Sequence, residues 1–325
     1  MRHNLTEYFI GIDIGGTKCA VVIGDKDFKI YKRVQFETKT DRGYLEIMNE
    51  FFSILDELFM EYPKEQVQQI GISCGGPLDS KKGVIYSPPN LPGWDNVPIV
   101  EMFQKKYGIP TAIQNDANAS ALAEWLMGAG KETQNMIFLT FGTGMGSGLI
   151  LNGQLYAGTN DLGGEVGHIR LAKDGPVGFG KAGSFEGFCS GGGIAQLAKT
   201  IVTNRISEGQ KVEFCSANEI EKLDAKMVAI AANNGDLVAN EIIQISAEYL
   251  GKALAILIDT LNPQCIVIGS IYARNVKLFK PHVDRILQLE AIPSAIEVCE
   301  IKPALLGDKI GDYAALCVAA NAYNK

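Results

Sequence analysis

A chain of 325 residues has room for two domains at about 100–200 residues each. With 46% hydrophobic and 21% charged residues it can fill its cores, which excludes a disordered protein. The net charge of −7 argues against a nucleic-acid partner, which needs a basic face to displace counterions, but not against a nucleotide held by backbone N–H groups.

The N-terminus carries no secretory pattern, because the apolar stretch over residues 8–14 is short and includes Asp13. That stretch and residues 19–24 read as two strands around a glycine turn, with residues 27–35 a candidate third. Over residues 42–62, Leu45, Met48, Phe52, Leu55 and Phe59 recur at helical spacing until Pro63. Residues 67–74 form a strand ending in Gly75-Gly76-Pro77. A helix (99–107), a strand (110–114) and a helix (116–127) follow. A second strand–glycine–strand unit opens at Met136, and residues 158–193 read as a glycine-rich functional connection. A long helix (235–261), a strand (265–269), a helix (276–289), a strand (296–301) and a closing helix (312–322) complete the chain. Alternating strands and helices predict an α/β protein with largely parallel sheets. No apolar run approaches the ~20 residues of a membrane span, so no membrane partner is expected.

The seven cysteines are scattered without a C-x-x-C pair. A disulfide framework does not fit this pattern, a reducing cytoplasm does, and most of these residues read as small buried hydrophobes. Of the three histidines, His3, His168 and His282, none has metal-ligand spacing to a neighbour.

The strand–turn–strand around Gly15-Gly16-Thr17 aligns with that around Gly142-Thr143-Gly144-Met145-Gly146, which suggests two related α/β domains. Paired glycines let a turn bring its N–H groups to an anion, Thr17 adds a hydroxyl and Lys18 a cation, and Asp13 could hold Mg²⁺ through water. Neither turn is a P-loop or a G-x-G-x-x-G. Asp116, at a strand-to-helix junction, could be an N-cap or a general base; two phosphate turns in the same chain favour the base. Glu165 and His168 could hydrogen-bond sugar hydroxyls, and Asn90, in a turn-rich stretch, could touch substrate or merely turn the chain.

Taken together, Asp13-Ile14-Gly15-Gly16-Thr17-Lys18, Asn90-Leu91-Pro92-Gly93-Trp94, Asn115-Asp116-Ala117-Asn118, Gly142-Thr143-Gly144-Met145-Gly146-Ser147-Gly148, Glu165-Val166-Gly167-His168 and Glu186-Gly187-Phe188-Cys189-Ser190-Gly191 resemble, in order and spacing, the motifs of the ROK family of bacterial sugar kinases and sugar-responsive repressors. The resemblance implies a two-domain actin/hexokinase-like (ribonuclease H-like) fold with an active-site cleft between the domains. The domains would be residues 1–115 with 302–325, and residues 116–301. It implies Asp116 as base, with Asn90, Asn115, Glu165, His168 and Glu186 on the sugar. Asp13, Gly15, Gly16, Thr17, Lys18, Gly142, Thr143, Gly144, Gly146 and Gly269 would line the site for ATP and its Mg²⁺. A homodimer is implied as well.

Two departures from the family pattern stand out. The family's zinc cysteines are replaced by Val177, Phe179 and Ser184, so no zinc is expected, and Phe179 and Phe185 are expected to anchor the loop instead. Something other than a metal must then orient His168. Gly75 stands where the family more often has proline.

The expected function is an ATP-dependent sugar kinase acting on a hexose or N-acetylhexosamine hydroxyl. The alternative is a sugar-binding transcriptional regulator of the same family. Only seven residues precede Tyr8, too few for a helix-turn-helix, and Asp116 with both glycine turns is intact. An ATP-binding protein without kinase activity is a third reading, separated by ATP consumption with a sugar panel.

Overall fold

The computed structural model describes residues 6–324. His3 and the rest of the first five residues lie outside them, as does Lys325. The chain divides into two compact units. The first runs to Gly128 and takes in Leu155–Gly163 and the chain from Leu306 onward; the second holds Ala129–Gln154 and Gly164–Leu305.

In the first unit, β1 (Tyr8–Ile14), β2 (Lys18–Asp25) and β3 (Ile30–Glu37) are antiparallel neighbours. Helix α1 (Tyr44–Glu61) leads to β4 (Val67–Cys74) and a small hairpin of β5 (Leu78–Asp79) and β6 (Val84–Ile85). Then come α2 (Ile99–Tyr107), β7 (Thr111–Asn115) and α3 (Asp116–Leu126). The sheet order is β3-β2-β1-β4-β7, with β1, β4 and β7 parallel.

Both faces of β1 are covered, which is why its residues are almost all apolar. Ile10, Ile12 and Ile14 point into a core shared with α1 and α2. Phe9 packs on the other face with Leu316 and Ala319 of the C-terminal helix (Ile310–Tyr323). That helix lies against the sheet because Gly11 and Gly71 have no side chain: a Cβ on Gly71 would fall 2.2 Å from the Ala319 nitrogen and 2.3 Å from the Ala315 oxygen. The stripe that α1 buries is Ile47, Met48, Phe51, Leu55 and Leu58. The spacing read from Leu45 is turned by about one position, and Leu45 is exposed. Both stripes satisfy the helical period, and packing against the sheet decides between them.

The second unit has β8 (Met136–Leu139) and β9 (Ser147–Leu151), and β10 (Gln154–Tyr156) starts in it; a hairpin of β11 (Val177–Gly178) and β12 (Lys181–Ala182) follows. Helices α4 (Phe185–Phe188), α5 (Gly191–Ser207), α6 (Ala225–Asn233) and α7 (Leu237–Leu261) follow. The chain continues through β13 (Cys265–Ile268), α8 (Ser270–Arg274), α9 (Val276–Glu290), α10 (Pro293–Ile296) and β14 (Glu300–Pro303). The sheet order β10-β9-β8-β13-β14 repeats the first sheet's order, with β8–β9 antiparallel and β8, β13 and β14 parallel. Helix α7 forms the spine of this unit's core, and Gly251 admits α9, since a Cβ there would meet the Ile286 Cβ at 2.6 Å.

Several expectations shift. Helix α3 lies in the first unit, not the second, because it packs against the C-terminal helix. The connection read as irregular over 158–193 contains a 3₁₀ turn, Val166–His168, the β11–β12 hairpin, α4 and the start of α5. Helices α5 and α6 are additions, and the strand expected over 296–301 is a helical turn followed by β14. Among the described residues no helix is long and apolar enough to cross a membrane.

Candidate active site

The β1–β2 turn consists of Gly15, Gly16 and Thr17, closed by the Gly15 N–H donating to the Lys18 carbonyl at 3.1 Å. Each glycine is required by a neighbour: a Cβ on Gly15 would meet the Lys18 oxygen at 2.8 Å, and one on Gly16 the Asn90 oxygen at 2.6 Å. Thr17 and Lys18 are exposed. Thr38, fully buried, braces the turn from beyond the end of β3. Its hydroxyl donates to the Gly15 carbonyl at 2.6 Å and its N–H to the Thr17 carbonyl at 2.9 Å. Sequence reasoning passed over Thr38, whose only signal is its place just past the β3 residue paired with Lys18.

The loop bearing Asn90 is thus seated on the first glycine turn. Its carboxamide also lies against Gly75, where a Cβ would stand 3.2 Å from Asn90 Oδ1. The departure at Gly75 therefore bears directly on a candidate substrate residue.

Register aligns Asp13 of β1 with Ser73 of β4 and Gln114 of β7, each one residue before its strand ends. Burial pushes the Asp13 carboxyl up to about 6; Asp116 and Asp312 add to the rise, and the Ser73 hydroxyl and Arg33 oppose it. Arg33 is itself paired with Asp312 at 2.7 Å. Asp13 also sits under the first turn of the C-terminal helix, with its Oδ2 2.7 Å from where a Cβ on Gly311 would be.

Asp116 is not the helix cap. Asn115 is: its Oδ1 accepts the Asn118 N–H at 2.7 Å, and Asp116 is the first helical residue. The Asp116 carboxylate accepts the next N–H, that of Ala117, at 2.9 Å. It is open to solvent, yet the protein around it raises its pKa, with backbone N–H groups opposing.

In the second unit the β8–β9 turn is a closed backbone ring. Thr140 donates to the Gly146 carbonyl at 2.9 Å, Gly146 returns an N–H to Thr140 Oγ1 at 2.9 Å, and Gly142 donates to Gly144 at 3.0 Å. Thr143 is exposed at the tip. Gly269 precedes α8 and lies against this turn, with its N–H on the Leu139 carbonyl at 2.9 Å. The first N–H of α5, from Gly191, donates to the Gly142 carbonyl at 2.8 Å. Gly142, Thr143, Gly144, Gly146 and Gly269 are therefore one cluster.

Glu186 joins that cluster to the second unit's sugar candidates. Its Oε2 accepts the Met145 N–H at 2.9 Å, so one carboxylate oxygen is engaged by the glycine turn. Gly167, between Glu165 and His168, presses on the same turn: a Cβ there would be 2.2 Å from the Met145 oxygen. The Glu165 carbonyl accepts the His168 N–H at 3.2 Å.

The model of the ROK family matches residues 9–321. The chain belongs to the ROK family. It is 31% identical over 309 residues to a glucokinase of Halalkalibacterium halodurans, covering 94% of this chain and 92% of that one. It is 30% identical over 309 residues to a glucokinase of Thermotoga maritima, covering 93% and 94%. A Streptomyces griseus ROK glucokinase solved with glucose and AMPPNP superposes with a TM-score of 0.74 at 26% identity, covering 96% of this chain and 99% of that chain. A xylose repressor of Caldicellulosiruptor bescii is 27% identical over 268 residues, 80% of this chain and 65% of the repressor.

In this ROK chain the positions of the family's zinc cysteines are filled by residues that offer no thiolate. Val177 and Phe179 are exposed, and buried Ser184 caps α4 by accepting the Gly187 N–H at 3.1 Å. Among the described residues no group of three His, Cys, Asp or Glu is gathered for a metal. The donor set does not fit zinc, which needs four ligands in a structural site.

What holds the loop is close backbone packing through glycine. A Cβ on Gly193 would fall 1.9 Å from the Gly187 oxygen, one on Gly187 2.1 Å from the Pro176 oxygen, and one on Gly183 2.2 Å from the Ala172 oxygen. Phe185 anchors the loop as expected, being fully buried; Phe179 does not, with 82% of its surface exposed.

Proposed function

We propose that this ROK protein is an ATP-dependent sugar kinase that phosphorylates a hydroxyl of a hexose or N-acetylhexosamine, with Asp116 as general base. The observation that carries this is the division of labour at the head of α3. Asn115 caps the helix, which leaves the Asp116 carboxylate accessible, and desolvation by the surrounding protein raises its pKa, as suits a group that must take a proton. A mere cap would have needed no carboxylate there. The likeness to glucokinases along nearly the whole chain supports the same reading.

In the reaction the sugar hydroxyl oxygen bonds to the γ-phosphorus, the bond from that phosphorus to the β-γ bridging oxygen breaks to release ADP, and the hydroxyl proton passes to Asp116. Most of the remaining work is positioning and charge neutralisation. The turn at Gly15, Gly16, Thr17 and Lys18 and the cluster of Gly142, Thr143, Gly144, Gly146 and Gly269 offer backbone and hydroxyl donors for ATP. Asn90, Asn115, Glu165, His168 and the free oxygen of Glu186 are the sugar contacts. Mg²⁺ would offset charge on the transferring phosphoryl group, and Asp13, held among other acids, is the residue to face it through water.

The similarity to a xylose repressor favours a second reading, a sugar sensor without chemistry. A coupled ADP-release assay over glucose, mannose, fructose, allose, N-acetylglucosamine and N-acetylmannosamine separates the two. Turnover with at least one sugar is expected. Sugar binding without ADP release from any of them would overturn the kinase and leave the sensor.

A further inference from the structure

Phe179 sits in a conformation that its surroundings do not explain by burial. Its φ is 43°, in the left-handed region that bulky side chains rarely adopt, and 82% of its surface is exposed. With Gly180, at φ 74°, it makes the two-residue turn of the β11–β12 hairpin, a turn that ordinarily selects Asn-Gly. Backbone strain is thus borne for a ring that gains little from leaving water.

The hairpin under it is fixed. Gln196 accepts the Val177 N–H and donates to the Val177 carbonyl, each at 2.9 Å. Gly178 lies so close to Glu186 that a Cβ would meet the Glu186 Cβ at 2.7 Å. The Lys181 ammonium donates to the His168 carbonyl at 2.7 Å. The result is that the Phe179 ring stands 6.2 Å from the His168 ring with the planes at 78°, an edge-to-face pair. The imidazole is itself exposed, and no hydrogen bond to another described residue holds it, so the Phe179 ring is the aromatic neighbour beside it.

We propose that Phe179 is a positioning residue that aims the His168 imidazole at the sugar, by aromatic packing from a strained hairpin turn. The proposal rests on the reading of His168 as a sugar contact. An edge-to-face pair beside an otherwise unheld ring limits the rotations of His168 before sugar arrives, so less freedom is lost on binding.

The test uses Phe179→Ala, Phe179→Tyr and Phe179→Gly in the full-length protein. Alanine should raise KM for the sugar by about three- to tenfold, the span of one aromatic pair, with kcat and KM for ATP unchanged; tyrosine should restore it. Glycine should raise Tm, because it relieves the positive φ, and still raise KM for the sugar. That opposition separates positioning from a structural role. In parallel, the imidazole carbon-bound proton signals of His168, identified with His168→Gln, should move in the alanine variant as the ring current is lost and not in the tyrosine variant.

An unchanged sugar KM in an active Phe179→Ala enzyme would overturn the proposal and leave the kinase standing. If no sugar of the panel is turned over, the kinase reading falls, and unchanged His168 signals in Phe179→Ala overturn the positioning claim on their own.

Discussion

Replacing Asp116 with asparagine isolates its chemistry from its place in the fold. The helix keeps its cap, because Asn115 and not Asp116 accepts the Asn118 N–H at 2.7 Å. The Asp116 carboxylate accepts the adjacent Ala117 N–H, and an asparagine oxygen can accept it equally. Removing a cap would cost about 1 kcal/mol; with the cap elsewhere, Tm should stay within about a degree or two of wild type. Loss of a general base should lower kcat by about 10²–10⁴, or about 3–5 kcal/mol in the barrier. A second consequence follows from Asp13, whose pKa is raised first by burial and next by the Asp116 charge. Neutralising Asp116 should therefore lower the Asp13 pKa and move the acid limb of KM for ATP to lower pH. The measurements are coupled ADP release, thermal melting and a pH series of ATP titrations. Turnover near wild type would refute the base, and a collapse of Tm would mean that Asp116 holds the helix after all.

Other predictions follow from the same geometry. With Asp13 at about 6 in the fold and 3.8 as its ordinary value, the native state holds the extra proton. The stability it contributes is therefore full below pH 3.8 and lost as pH rises through 6, while ATP·Mg²⁺ affinity, if Asp13 has its proposed role, runs the opposite way and weakens below pH 6; melting and titration from pH 5 to about 8 should show opposed slopes. Gly71→Ala would press a methyl to 2.2 Å from the Ala319 nitrogen, and should cost about 1–3 kcal/mol or more of stability by overpacking, read in denaturant unfolding. Elemental analysis of purified protein should find no stoichiometric zinc, since Val177, Phe179 and Ser184 provide no thiolate; one zinc per chain would contradict this. His168→Ala should raise sugar KM by about tenfold or less without loss of Tm, as its ring would make at most one hydrogen bond to a sugar hydroxyl, worth about 0.5–1.5 kcal/mol.

How much of this was legible in the sequence depended on the range of the interaction that decided each feature. The β1 strand and its glycine turn could be read because local signals agree: an apolar run, then two glycines, then another apolar run. The strand-to-helix switch at Asn115-Asp116-Ala117-Asn118 was legible for the same reason, but which residue caps was not. Asn115, Asp116 and Asn118 are all able to cap, and the choice rests on which peptide first turns helical.

Helix α5 was hidden because Gly191, Gly192 and Gly193 are poor helix formers, and propensity there points to a loop. The structure explains the conflict: Gly193 must lack a side chain to pass the Gly187 carbonyl, and the helix is held by Ser190, whose Oγ accepts the Gly193 N–H at 3.0 Å. Thr38 was invisible because its value lies in reaching a turn more than twenty residues earlier, an approach created only by β2–β3 pairing. The same holds for Phe179. As a letter in place of a cysteine it suggested a hydrophobic anchor, and only the backbone angle and the neighbouring imidazole reveal that it is half of an exposed aromatic pair. Local chemistry is thus written in short motifs, and the residues that hold those motifs in working geometry are chosen by neighbours the chain meets only after it has folded.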